Sequence, residues 1–178
     1  EECSQSNGSR YTGRLVGTMG DIAAFSTMSI KHHASAAQGG LVFSKNEALI
    51  WKARRASDRG KPVGLEGVAT TVQGHAANAP VTNLFASLNL NSNDLAAAIG
   101  KAQLKKLPGI TEGRRRVAGA IEQGVAERCK AVRMVGNPPG CESVYWFLVF
   151  DLDPEKVSVG KHEFVDAVRA EGLPYNAD

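Results

Sequence analysis

The sequence predicts an α/β fold over its first part and an α+β unit over its second. Three observations carry that reading. Two short apolar runs, IAAFS at residues 22–26 and GGLVFS at 39–44, are bounded by glycine or small polar residues and read as buried strands. Segments with helical period follow, separated by glycine- and proline-rich punctuation. Late in the chain VYWFLVF, residues 144–150, is the strongest strand signal and is expected to be buried on at least one face.

Residues 1–21 are polar and punctuated by Gly8, Gly13, Gly17 and Gly20, so loops and short strands are expected there. Residues 27–38 have no period and hold Lys31, His32 and His33. Asn46 can cap a helix with Glu47 at its positive end and Leu49, Ala53 and Ala56 on one face; Gly60 and Pro62 stop it. Residues 61–91 read as a long loop of the kind that carries function. A second helix is expected from about residue 92 to Leu107, with Leu95, Ala98, Ile99 and Ala102 inward. A third follows Thr111, with Val117, Ala120 and Ile121 inward and Glu112 paired to Arg116, so that the two form a helical hairpin. The last helix spans residues 162–171 with Phe164, Ala167 and Val168 inward, and Gly172-Leu173-Pro174 ends it.

With 178 residues, 43% hydrophobic and 22% charged, the chain can bury a sizeable core, which excludes a disordered tail and a disulfide-stapled miniprotein. A net charge of +3 is too small to argue for a nucleic-acid or membrane surface as partner. Cys3, Cys129 and Cys141 fit neither a disulfide framework nor a zinc pattern, and a reducing, cytoplasmic setting is expected. No apolar run is long enough to span a membrane, and the first residues have no signal-peptide pattern. The chain opens on Glu1-Glu2-Cys3 without Met and closes where a further element is expected, so it reads as a fragment of a longer protein.

Lys31 is the residue to weigh for chemistry. It follows a strand and precedes a Gly-Gly turn, where a cleft could desolvate its amine and free it to act as a nucleophile. His32-His33 lacks an accompanying Cys or carboxylate cluster, so no metal site is expected. Arg114-Arg115-Arg116 with Lys105-Lys106 is the one basic cluster; without interleaved aromatics it reads as a solvated helix face.

An ordered series of motifs, spread over nearly the whole chain, resembles the DegT/DnrJ/StrS family of pyridoxal-phosphate-dependent sugar aminotransferases. The stretch Glu1-Glu2-Cys3-Ser4-Gln5-Ser6-Asn7-Gly8 is similar to that family's E-D-x-A-Q-x-x-G, and residues 17–26, GTMGDIAAFS, to its G-x-x-G-D-x-x-x-F-S. Lys31 falls on the Schiff-base lysine, and Gln38-Gly39-Gly40 on the [DE]-G-G turn. Residues 87–104, SLNLNSNDLAAAIGKAQL, resemble G-Y-N-x-R-x-x-E-L-x-A-A-I-G-x-x-Q-L. The resemblance implies a fold-type-I, aspartate-aminotransferase-like transferase. Residues 1–85 would be the C-terminal portion of the cofactor-binding large domain, and 86–178 most of the small α+β domain.

It further implies pyridoxal 5'-phosphate as cofactor, with Glu2 against the ring nitrogen, Gln5 at the ring and its hydroxyl, Ser26 at the phosphate and Lys31 as the catalytic amine. Asn89 would cross a homodimer interface to the neighbouring phosphate. Three positions depart from the pattern: Glu2 stands where the family has Asp, Gln38 replaces the acid before Gly-Gly, and Asn91 replaces an Arg. The implied reaction moves an amino group from an amino-acid donor, commonly glutamate or glutamine, to a keto group of a nucleotide-linked sugar or cyclitol. Family members with His in place of the lysine act as dehydratases, so Lys31 favours transamination; a non-catalytic cofactor-binding relative is the other alternative.

Overall fold

The computed structural model describes residues 1–65 and 83–173. In chain order its elements are β1 (Arg10–Tyr11), β2 (Arg14–Leu15), β3 (Ala23–Ser26), β4 (Gly40–Phe43), α1 (Glu47–Ser57), α2 (Asp94–Leu104), α3 (Leu107–Arg128), β5 (Val132–Met134), β6 (Cys141–Glu142), β7 (Phe150–Leu152) and α4 (Lys161–Ala170). They form two compact units, Glu1–Arg115 with Asn137–Trp146, and Arg116–Gly136 with Phe147–Asp178. Residue 85 lies inside the first. Among the described residues no helix is long and apolar enough to cross a membrane.

In the first unit β1 pairs antiparallel with β2 on one side and β6 on the other, Arg10 facing Leu15 and Glu142. The glycine-rich loop after β2 is fixed by Glu1, whose carboxylate accepts the backbone N–H groups of Gly17 and Met19 at 2.7 Å each and that of Gly20. These donors hold the Glu1 carboxyl below its ordinary pKa, Gly20 and Gly17 contributing most. Gly17 has φ +89, and a Cβ there would lie 2.2 Å from Cζ of Phe25.

Strands β3 and β4 pair antiparallel from Ala23↔Phe43 to Ser26↔Gly40, and Glu2 adds a parallel bridge to Ala24. Both predicted strands form, but their burial is corrected. Only Ala23 of β3 is buried, and all four residues of β4 are exposed. Among the described residues only β3 pairs with β4, and α1 touches it. Helix α1 starts as its cap predicts, the Asn46 side chain accepting from the N–H of Ala48 at 3.0 Å and of Leu49 at 3.4 Å. Its predicted face is half-buried at Leu49 and Ala53 and open at Ala56.

Of the long loop, residues 66–82 lie outside the described residues. Its returning limb is laced to the end of α1. Arg59 donates its N–H to the Leu88 carbonyl at 2.9 Å, and Leu90 donates to that of Ser57 at 2.8 Å.

Helix α2 forms as predicted but presents the other face. Leu95 is 72% exposed, while Ala96 and Gly100 are buried. Small residues favour this: a Cβ on Gly100 would sit 3.1 Å from the Ser35 Cβ, a tight contact that the bare glycine backbone avoids. Helix α2 therefore rests on the loop before β4 and not on α3, and the predicted hairpin does not form. Helix α3 begins at Leu107, earlier than predicted, with Pro108 in the first turn where no N–H is required. Its inward residues are Thr111 and Ala118, whereas Val117 is 55% exposed and Ala120 and Ile121 are also open. Glu112 and Arg116 form no ion pair within 4 Å.

The strand predicted over residues 144–150 is also corrected. Only Phe150 of that run is in a strand, and only Val144 is buried. Tyr145 takes φ +50, which breaks the extended backbone.

In the second unit β5 and β7 pair antiparallel, with Arg133 ion-paired to Asp151 across the register at 2.6 Å. Helix α4 matches its prediction, half-buried at Phe164 and Val168 but open at Ala167. Gly172, at φ +101, follows it; Pro174 lies outside the described residues.

Substituting Gly17 by Ala forces a side chain into the left-handed region and against the Phe25 ring, so the expected loss of stability is about 2–3 kcal/mol. Gly13, at φ +77 with nothing within 4 Å of a built Cβ, is the control. There the same change costs about 1 kcal/mol. Urea unfolding of both variants checks the difference.

Candidate active site

The residues between β3 and β4 form a loop pinned from inside. Thr27 donates its N–H to the Gly39 carbonyl at 2.8 Å, Ser29 to Ala37 at 2.9 Å, and Ser35 to Thr27 at 2.8 Å. The Thr27 and Ser35 hydroxyls meet at 2.5 Å, both buried. His33, also buried, has Nε2 at 2.9 Å from the Gly100 carbonyl of α2 and donates to it. The buried side chains of Thr27, His33 and Ser35 thus all have partners, as burial of polar groups requires. Lys31 sits within this loop, half-buried, its N–H donated to the Met28 carbonyl at 2.9 Å.

The Lys31 ammonium lies over the ring of Trp146, 4.0 Å from its centroid. Glu2 is close enough for the Lys31 charge to act on its carboxyl. The Glu2 carboxylate accepts the Ser4 N–H at 2.8 Å; the Ser4 side chain first, then that backbone bond, and then the Lys31 charge hold it below its ordinary pKa. Ser26, at the end of β3, accepts the Met28 N–H on its hydroxyl at 3.3 Å and the Asn7 side-chain N–H on its carbonyl at 3.1 Å. Glu2, Ser26 and Lys31 are thus gathered around β3. Gln5 is exposed on the adjoining N-terminal segment. Asn89 is not with them: it bridges to Asp58 beyond α1 and accepts the Asn91 N–H at 3.4 Å.

The two histidines diverge, His33 to α2 and His32 to the Val144 carbonyl at 3.2 Å. Among the described residues no group of three or more His, Cys, Asp or Glu could hold a metal ion. His32 is 3% exposed, its Nε2 donates to Val144, and its Nδ1 has no partner. Burial first, then the Arg114 charge, pushes the imidazole below its ordinary pKa.

The basic cluster is corrected as well. Arg114 donates to the Tyr145 carbonyl at 2.9 Å, and Arg115 donates to those of Ser143 at 2.9 Å and Gly8 at 3.4 Å. These cations fasten chain to chain and do not form a purely solvated face. Sequence reading missed them, and missed Trp146, because a helix-borne Arg and a Trp in an apolar run carry no local sign of a distant partner. Glu1 had a readable signal in Gly17 and Gly20, whose N–H groups can converge on a carboxylate.

A lysine amine, a carboxylate and a strand-end hydroxyl thus lie on segments that adjoin β3. The chain belongs to the DegT/DnrJ/EryC1/StrS aminotransferase family, whose pattern matches residues 1–176. That family is pyridoxal-phosphate-dependent. The GDP-perosamine synthase of Vibrio cholerae is 28% identical over 155 residues, which are 87% of this chain and 38% of the relative. The aminotransferase from Psychrobacter cryohalolentis superposes with a TM-score of 0.81 at 23% identity, over 98% of this chain and 45% of that one. A DegT/DnrJ/EryC1/StrS aminotransferase from Brucella abortus gives 0.76 at 20%, over 98% and 40%. The fold is therefore that of the fold-type-I aminotransferases, and the chain spans less than half the length of the relatives it matches.

Because His32 is held neutral, its contribution to stability is complete above the unfolded-state pKa, about 6.5, and is lost as pH falls below that value toward the folded one. His32→Gln keeps a donor for Val144 and cannot titrate. Unfolding midpoints compared at pH 8 and pH 5 should show the wild type losing more stability on acidification than the variant.

Proposed function

We propose that this chain carries the amine-handling site of an aminotransferase that takes an amino group from an amino-acid donor and delivers it to a keto group of a nucleotide-linked sugar or cyclitol. The observation that supports this reading best is the gathering of Lys31, Glu2 and Ser26 around β3, with Lys31 on a loop pinned by backbone bonds and the Thr27–Ser35 hydroxyl pair. The residues fit pyridoxal phosphate by their chemistry: an amine for its carbonyl, a carboxylate for its ring nitrogen, and hydroxyl and amide donors for its oxygens.

When bound, pyridoxal phosphate supplies an electron sink for the bonds at the amine-bearing carbon. Lys31 would hold the cofactor through its amine and, as the freed general base and acid, would move a proton from the donor's α-carbon to the C4′ carbon of the cofactor. Glu2 keeps a negative charge where a protonated ring nitrogen needs one. Its extra methylene relative to Asp is accommodated by a carboxylate already turned onto the Ser4 N–H. Ser26 donates its hydroxyl to phosphate, and Gln5 its amide to the ring oxygen. Asn89 serves the phosphate of a second copy, so the working unit is a cytoplasmic homodimer. Residues 1–85 belong to the cofactor-binding large domain and 86–178 to the small one.

Incubating the full-length protein with pyridoxal phosphate, reducing with borohydride and mapping peptides by mass should place a pyridoxyl group on Lys31, with none in Lys31→Ala. Turnover of that variant should fall by about 100-fold or more. Absence of the Lys31 adduct overturns the reading. An adduct without gain of nitrogen by a keto-sugar nucleotide points to a binding-only relative, and loss of a sugar hydroxyl without nitrogen to a dehydratase.

A further inference from the structure

Lys31 and Trp146 lie far apart in sequence, yet the amine rests 4.0 Å from the indole centroid. No strand carries Trp146 there. The backbone before it is bound through three consecutive carbonyls, each to a different side chain: Ser143 to Arg115, Val144 to His32 and Tyr145 to Arg114. The same carbonyls would have been needed for a sheet ladder. Tyr145 is held at φ +50, a conformation that a bulky aromatic residue rarely adopts without surrounding restraint. Two of the donors come from the first turns of α3; the third, His32, is the residue next to Lys31.

We propose that Trp146 is the positioning residue of Lys31. Its ring face gives the amine a fixed place, and His32, Arg114 and Arg115 set the ring by clamping the three carbonyls. A lysine side chain has four rotatable bonds, and an amine that must return to one carbon atom reacts faster from a defined position than from a rotamer cloud. A cation also gains from the ring's negative face, more so where water is partly excluded. The catalytic meaning of this placement rests on the function proposed for Lys31; the placement itself does not.

The test uses the full-length protein without cofactor. Lysines are acetylated with an amine-reactive ester and each rate is read by peptide mass. Trp146→Leu, which keeps apolar bulk but removes the ring, should raise the Lys31 rate by about three- to tenfold. Trp146→Phe should keep it within about twofold of wild type, and the other lysines should not change. An unchanged Lys31 rate in Trp146→Leu overturns the proposal. Should that variant unfold, which would speed every lysine, the contact is read from the other side. In a background where every other tryptophan of the full-length protein, Trp51 included, is replaced by Phe, Lys31→Met should shift Trp146 emission and raise its quenching by acrylamide, and no change in either overturns the proposal. Failure of Lys31 to take up pyridoxal phosphate would refute the proposed function and leave both of these measurements standing.

Discussion

A backbone carbonyl that leaves water must find a donor, and residues 143–145 present three in succession without a strand beside them. Arg115, His32 and Arg114 supply the donors, and much of the first unit follows from that arrangement. It turns an apolar run away from strand geometry, buries Val144 to 1% exposure and draws His32 inward beside Lys31. It also uses guanidinium groups where neutral donors would be weaker, since charge-assisted bonds are about twice as strong as neutral ones. Removing any one donor would strand a carbonyl and loosen the path to Trp146.

The loop that presents Lys31 is built on the same economy. Its interior contains Thr27, His32, His33 and Ser35; Thr27 and Ser35 bond to each other, His33 to α2 and His32 Nε2 to the Val144 carbonyl. Gly100 and Ala96 let α2 approach near enough to complete that closure. A loop held this way keeps its lysine in place without burying the amine, which leaves Lys31 half-open to a ligand. Ahead of β3, Glu1 fixes the Gly17 loop by accepting three N–H groups, so side chains add to the pairing with β4 in holding the strand's surroundings.

Among related aminotransferases this chain corresponds to 38–45% of the length. Its small paired strands, open apolar residues on β4, and exposed Leu95 and Val117 are properties of that portion as described.

Local signals in the sequence located much of what is present: the Asn46 cap, the start of α2, the extent of α4, the β3–β4 strands and the lysine between them. Caps, turns and short apolar runs act over a few residues, so they can be read without knowing the fold. The motif series carried the family for the same reason, since spacing is a local property. Which residues of α2 and α3 turn fully inward was not legible: Ile99 is half-buried as predicted, but Ala96 and Gly100 are buried and the more apolar Leu95 is open. Residues 144–149 read as a strand because their composition suits one. Tertiary structure decided otherwise at its start, where His32 and Arg114 took the carbonyls of Val144 and Tyr145 that a ladder would have used.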